Sequence, residues 1–215
     1  MSSFPLILSA PSGGGKTTIA RELLRRRNDL GYSVSCTTRP PRPAERDGTD
    51  YFFLTREAFM SARGRGEFAE SAEVHDDLYG TLRSEVDKVL ASGRHVVMDI
   101  DVQGARQFIK AYPESVLVFV LPPDVAVLLE RLKARGTESG KALDRRLSSA
   151  VEELRAVGMY HYVVVNEDID RAVNDVSKIV DAEQMRTSRI ARLGERVDQL
   201  VAGLEGALGN NQRSS

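Results

Sequence analysis

Cysteine occurs once in the 215 residues, at Cys36, so no intramolecular disulfide can form and a reducing compartment is expected. Histidine is nearly as scarce. His75, His95 and His161 lie far apart without metal-ligand spacing and read as surface or packing residues. No apolar run approaches the roughly 18 residues that span a bilayer. The first residues lead straight into a strand pattern with no basic-then-apolar leader, so a cytoplasmic protein is expected. An excess of either charge is missing too: 30 Lys and Arg against 31 Asp and Glu leave a formal net charge of −1. That excludes a global pull toward nucleic acid, and any affinity for phosphate must come from local clusters. There is no internal repeat and no low-complexity tract. The length suits one domain, or one domain with a small insert and a tail.

What is present is organised around residues 10–17, Ala-Pro-Ser-Gly-Gly-Gly-Lys-Thr, placed between the apolar run Phe4-Pro5-Leu6-Ile7-Leu8 and a helical pattern opening at Lys16-Thr17. Strand, glycine-rich turn, then Lys-Thr entering a helix is the context of a phosphate-binding loop. Gly13, Gly14 and Gly15 let consecutive N–H groups turn inward toward an anion, and the helix N-terminus adds partial positive charge. Pro11 and Ser12 complete the loop, Lys16 is placed for the β- and γ-phosphates, and Thr17 offers a hydroxyl to Mg²⁺. Ala10 stands where the general motif has glycine, so a negative φ is predicted there. A plain flexible turn is the bland alternative, and the flanking strand and helix argue against it.

Beyond the first helix, which should run to about Arg27, residues 35–43 form a hydroxyl-rich, proline-stiffened loop carrying Arg39 and Arg42. Their planar forks match phosphate oxygens. Alone they would read as solvated surface; beside a phosphate loop they suggest a second anion site. Short strands are expected at 50–54, 66–74 and 78–81 with a capped helix from Thr55, making residues 35 to about 82 a small mixed insert able to hinge against the main sheet. After a helix at 84–91, His95–Asp101 is an apolar run ending in acids, the pattern of a central parallel strand. Asp99 and Asp101, two apart, should share one side of an extended segment. Asp99 suits support of Mg²⁺. Asp101 sits where a helix N-cap would, and both roles are open to it.

Ser115–Leu121 and His161–Asn166 are the remaining core strands, with helices from 125 to 133 and 169 to 185. Between them lies a basic stretch broken at Gly136–Gly140, containing Arg131, Arg135 and Arg146, which reads as a hinged lid only in company with the phosphate loop. From Ser188, the residues Ile190, Leu193, Val197, Leu200, Leu204 and Ala207 follow spacings of three and four, giving an amphipathic helix suited to its own domain or to a dimer partner. Residues 209–215 read as disordered. Strands alternating with helices imply an α/β doubly wound parallel sheet. Two anion sites across its carboxyl edge suit phosphoryl transfer from a nucleoside triphosphate to an acceptor that is itself a phosphate. Such an acceptor, with a second pKa near ~6, needs no general base; the barrier is repulsion between polyanions.

Pro-Ser-Gly-Gly-Gly-Lys-Thr, Ser-Cys-Thr-Thr-Arg-Pro-Pro-Arg, Asp-Tyr-Phe-Phe, Glu-Phe-Ala-Glu, Leu-Tyr-Gly-Thr, Asp-Ile-Asp-Val-Gln-Gly and Arg-Gly-Thr-Glu occur in that order over roughly residues 4–185, and the chain thereby resembles guanylate kinases. The resemblance implies a P-loop NTPase-type core with a nucleoside-monophosphate-binding insert at about 35–82 and a helical lid at about 135–150, together spanning 4–184, and an extension at 185–215. It implies the reaction ATP + GMP to ADP + GDP with Mg²⁺, in purine nucleotide metabolism and GMP recycling. Ser35, Arg39, Arg42, Tyr51 and Tyr79 match the GMP phosphate contacts, and Glu70, Thr81 and Asp101 the guanine readers. Lys16, Arg135 and Arg146, supported by Arg131 and joined by Arg42, match the groups acting on the transferred phosphoryl. Asn166 and Asp168 match the adenine end of ATP. The carboxylates have a physical logic, since guanine offers N–H donors at N1 and N2 where adenine has none. Two departures from the family are Ala10 and the segment His75-Asp76-Asp77-Leu78, where an aromatic is lost at position 78. Two rivals remain: a peptide-binding module of the kind found in membrane-associated scaffolds, which the intact phosphate residues oppose, and a sugar-phosphate kinase, which would not need Glu70 and Asp101.

Overall fold

The computed structural model describes residues 2–74, 76–134 and 140–213. β1 (Pro5–Ser9) has every side chain buried and lies at the centre of the main sheet. It pairs in parallel with β7 (His95–Asp99) on one side and β8 (Val116–Leu121) on the other. β2 (Leu30–Tyr32) extends the first flank and β9 (Tyr162–Val165) the second, giving the parallel order β2-β7-β1-β8-β9. The chain therefore winds first to one side of β1 and later to the other, which puts the carboxyl end of β1 at the reversal where open α/β sheets bind ligands.

Alternation along the strands assigns the two faces. Leu6, Leu8, Val97 and Val118 meet α1 (Lys16–Arg26) and α7 (Ile169–Gln184) through Ile19, Leu23, Val173 and Val176. Ile7, Val96, Met98 and Leu117 meet α3 (Arg83–Ala91) and α4 (Val102–Ala111) through Val86, Val89, Ala105 and Phe108. Each such fully buried aliphatic or aromatic side chain contributes on the order of 2 kcal/mol, so the sheet is a rigid platform.

The second sheet, β4-β3-β6-β5, is built from β3 (Ser35–Thr37), β4 (Phe52–Phe53), β5 (Phe68–Val74) and β6 (Asp77–Leu82). α2 (Arg56–Gly64) starts as expected: the Thr55 hydroxyl accepts from the Ala58 N–H at 3.2 Å. It stacks Phe59 on Phe68 with ring centroids 4.4 Å apart. Leu78 completes this small core with Cys36, whose thiol burial pushes up to about 12, leaving it inert. The expected hinge meets a specific tether. Gln107 of α4 accepts from the Ser71 N–H at 3.2 Å and donates to the Ser71 carbonyl at 3.0 Å, joining the core helix to β5.

One expectation at the ends of elements needs correction, while the two acids at the end of β7 find separate partners. β7 ends at Asp99, and Asp101 follows in extended backbone. Asp101 caps α4 through the Gly104 N–H at 2.6 Å, while Asp99 faces α1. In the tail, the helix α8 starts only at Leu193 and continues to Arg213 rather than giving way to disorder at 209. The late start has a cause. Residues Thr187–Arg189 form a 3₁₀ turn that buries Arg189 against Glu183 at 3.1 Å, over the ring of Phe4, and leaves Ile190 outside the helix. The late end follows from cooperativity, since extending a formed helix costs far less than nucleating one. Val197, Leu200, Leu204 and Leu208 of α8 are exposed, so the apolar stripe does not pack on its own domain.

Candidate active site

The phosphate loop emerges where β1 ends. Ala10 is buried with a negative φ, as its Cβ requires: the only described non-glycine residues with positive φ are Asp76 and Arg192. The Gly14 N–H closes the loop on the Pro11 carbonyl at 2.7 Å. Gly15, with φ of 93°, hands over to α1, and a Cβ there would lie 2.4 Å from the Asn166 amide nitrogen. Asn166 itself, 4% exposed, donates to the Gly14 carbonyl at 2.9 Å. Its amide thus buttresses the loop from the end of β9. Asp168 caps α7 through the Arg171 N–H at 2.8 Å. Both residues carry structural duties that the sequence pattern did not disclose. Arg131, on α5 (Val125–Ala134), packs its stem beside Gly13 and reaches toward the Asn166 carbonyl.

At the first turn of α1, the Thr17 hydroxyl donates to Asp99 at 2.5 Å, and Tyr32 donates to the other Asp99 oxygen at 2.9 Å. Burial and the Asp99 charge hold the Tyr32 phenol far above its ordinary range, so Tyr32 serves as a fixed donor that orients the carboxylate. A hydroxyl and a carboxylate in contact beside a phosphate loop fit a hard, oxygen-seeking cation, one that takes its other ligands from phosphates and water. Among the described residues no group of three or more His, Cys, Asp or Glu converges on a metal position.

Across from the loop, the antiparallel register of the second sheet assembles the other half. Ser35 pairs with Thr81, and Thr81 with Glu70, so three distant segments lie side by side on neighbouring strands. The Thr81 hydroxyl donates to Glu70 at 2.7 Å. Glu70 is 6% exposed, and its carboxyl is pushed up to about 7, first by burial and further by the nearby Asp101, against the pull of the Thr81 hydrogen bond. Asp101 approaches from the core, so the pocket is shared between the two sheets. Gly104 makes the approach possible: a Cβ there would sit 2.8 Å from a Glu70 oxygen and 3.3 Å from Asp101. Nothing local in the sequence singles out this requirement.

Beside that pocket, Thr37 pairs with Tyr79, which meets Tyr51 edge-on at 6.1 Å. The Arg39 guanidinium lies 5.7 Å from the Tyr51 ring, and its Nη2 donates to both Glu45 oxygens at 2.9 Å. Glu45 also accepts from the Arg42 N–H at 2.8 Å. Glu45 was not predicted; it holds the arginine-bearing loop in shape by occupying the guanidinium. Of the arginines expected in a lid, Arg146 lies on α6 (Gly140–Arg155), whereas Arg135 lies outside the described residues, as does His75.

A parallel α/β sheet whose central strand runs through a glycine loop into a Lys-Thr helix defines a P-loop nucleotide-binding protein. The comparisons narrow the class. The family model described as guanylate kinase matches residues 2–183. The guanylate kinase of Nitrosomonas europaea is 45% identical over 183 residues, covering 85% of this chain and 91% of that protein. That of Thermotoga maritima is 46% identical over 197 residues, covering 92% and 95%. The crystal structure of guanylate kinase from Anaplasma phagocytophilum aligns with a TM-score of 0.76 at 35% identity, covering 92% of this chain and 95% of that one. The chain belongs to the guanylate kinase family.

Proposed function

We propose that this enzyme transfers the γ-phosphoryl group of ATP to GMP, yielding ADP and GDP, with ATP on the 10–17 loop and GMP in the pocket of the second sheet. The observation that carries the reading is Glu70. A carboxylate so deeply buried, with Thr81 as its donor through hydroxyl and backbone and a second carboxylate nearby, lacks compensation that the guanine N1–H and N2–H groups supply. Adenine offers no donor there and would leave the charges unpaired, which can reject the wrong base by roughly 10⁴.

In this reading Ser35, Arg39, Arg42, Tyr51 and Tyr79 hold the GMP phosphate, and Arg39 exchanges Glu45 for it. Lys16, Arg131, Arg135 and Arg146 neutralise the charge of the transferred group. Thr17 and Asp99 support Mg²⁺, which supplies charge neutralisation at the β- and γ-phosphate oxygens when bound. Asn166 and Asp168 border the adenine end of ATP. The insert at about 35–82 and the lid at about 135–150 act as the two moving parts of a domain spanning 4–184. No general base is required, because the GMP phosphate is largely a dianion at neutral pH.

We read the site of action as the cytoplasm; among the described residues no helix is long and apolar enough to cross a membrane. The chain is read as a monomer or a homodimer, with the exposed α8 stripe as the seam in the second case. Light scattering on the full chain and on a chain ending at Arg192 separates the two. The cut belongs after Arg192 because an earlier one removes Arg189 from the buried Glu183. The functional test is ADP formation with ATP, Mg²⁺ and each of GMP, AMP, CMP and UMP in turn. Turnover with GMP alone is expected. Turnover with no nucleotide acceptor would return the chain to the binding-module or sugar-phosphate readings.

A further inference from the structure

One acidic side chain sits where an anion-binding loop has no use for one: Glu153, near the end of α6, accepts the Ser12 N–H of the phosphate loop at 3.2 Å. A loop that binds a triphosphate presents its N–H groups to anions, and here a carboxylate of the chain takes one of them. The environment shows that this carboxylate belongs to the site. Burial raises its pKa and Asp101 adds to the rise, whereas Lys16 and the Ser12 N–H oppose it. Glu153 thus lies within the fields of the loop lysine and of a guanine-reading carboxylate at once.

Its place on the helix matters equally. Leu143, Leu147 and Ala150 of α6 pack on Leu128 and Leu132 of α5. Arg146 and Glu153 lie seven residues apart, two turns or about 10 Å along one face, a step round from that apolar stripe. The helix face that touches the loop therefore carries one anion and one cation in line. A γ-phosphate entering the loop repels the first and attracts the second.

We propose that Glu153 is an internal competitor for ATP: its carboxylate holds the Ser12 N–H, a triphosphate displaces it, and α6 then closes on the nucleotide through Arg146 instead of on the loop through Glu153. The inference rests on the assignment of residues 10–17 to ATP. Glu153 is a positioning residue, acting on α6 and the loop rather than on the reacting atoms. Its effect belongs to ATP and leaves the GMP pocket on the second sheet alone.

The test is calorimetric binding of ATP with Mg²⁺, GMP omitted, to wild type, Glu153→Gln and Glu153→Ala, with KM for each substrate measured alongside. Removing the charge is expected to tighten ATP by roughly five- to ten-fold, the scale of a lost charge-assisted hydrogen bond. KM for ATP should fall in parallel and KM for GMP should not. A general loss of structure moves both constants upward, so the split separates competition from damage, and the near-isosteric Gln guards against an Ala variant that misfolds. Unchanged or weaker ATP binding in both variants, with normal wild-type binding, overturns the inference alone. Absence of ATP binding by the wild type overturns the loop assignment and the inference together.

Discussion

The two halves of the proposed site are built by opposite means. The phosphate loop is a continuous run of eight residues set on a fully buried central strand, and its binding groups are backbone N–H donors held by Gly15, Pro11 and Asn166. The proposed base pocket is discontinuous: Glu70 and Thr81 come from neighbouring strands of a small sheet, Asp101 from the core, and Gly104 from a helix that must leave room for them. A phosphate is recognised by any chain that curls the right way. A base is recognised only by side chains whose positions are set relative to one another. At the loop, Ala10 stands in place of glycine with a negative φ, whereas in the proposed pocket Gly104 has to leave space for Glu70 and Asp101.

That contrast can be broken from either side. Lys16→Ala should leave the fold intact by circular dichroism and lower kcat by about 10³ or more, since a charge aimed at the transferring group has no backbone substitute. Glu70→Gln combined with Asp101→Asn should cut the ratio of kcat/KM for GMP over AMP by roughly 10² or more, with turnover of ATP at saturating acceptor less affected. Unaltered selectivity would move base recognition elsewhere. Gly104→Ala should raise KM for GMP about ten-fold by displacing the Glu70 carboxylate, and should leave KM for ATP within about two-fold. Equal changes in both constants would deny that the pocket and the loop are separate structures.

The smallest effect is on pH dependence. The Glu70 carboxyl, pushed up to about 7 from 4.5, retains in the folded protein a proton that the unfolded chain has released. Its contribution to stability is therefore present below about pH 4.5 and is lost as pH rises through about 7. The ionised form is the one that accepts from guanine, so GMP binding should strengthen over the upper part of the same interval. Comparing thermal midpoints and GMP affinity of wild type and Glu70→Gln between about pH 5 and about pH 8 isolates this group from the titrating phosphate of GMP. Parallel pH profiles in the two proteins would remove Glu70 as the group responsible.

Much of the core could be read directly. Apolar runs gave the strands, because a parallel sheet covered on both faces needs them, and Gly-Lys-Thr after such a run announced the loop. Thr55 and Asp101 were visible as caps because capping is a local bond between residues three apart. The separate partners of Asp99 and Asp101 were not legible, since Thr17, Tyr32 and Glu70 come from elsewhere in the chain. Nor was the late start of α8, which follows from a buried Glu183–Arg189 pair beneath Phe4, three residues brought together only by packing. Glu45 and Glu153 drew no reading from the sequence, and Asn166 was matched to the adenine end of ATP without its hold on the loop. Glu153 and Asn166 meet the loop from far away in the chain, whereas Glu45 meets arginines three and six residues before it.

What the sequence alone determined is what short-range chemistry can specify: a glycine loop that must curl, strands that must be covered, helices that must start at their caps. What the tertiary structure decided is every relation between segments: that Thr81 donates to Glu70, that Gly104 leaves them space, and that Glu153 leans on Ser12. Backbone conformation is set by neighbours a few residues away, whereas a pocket is set by which distant side chains the burial of the core forces into contact.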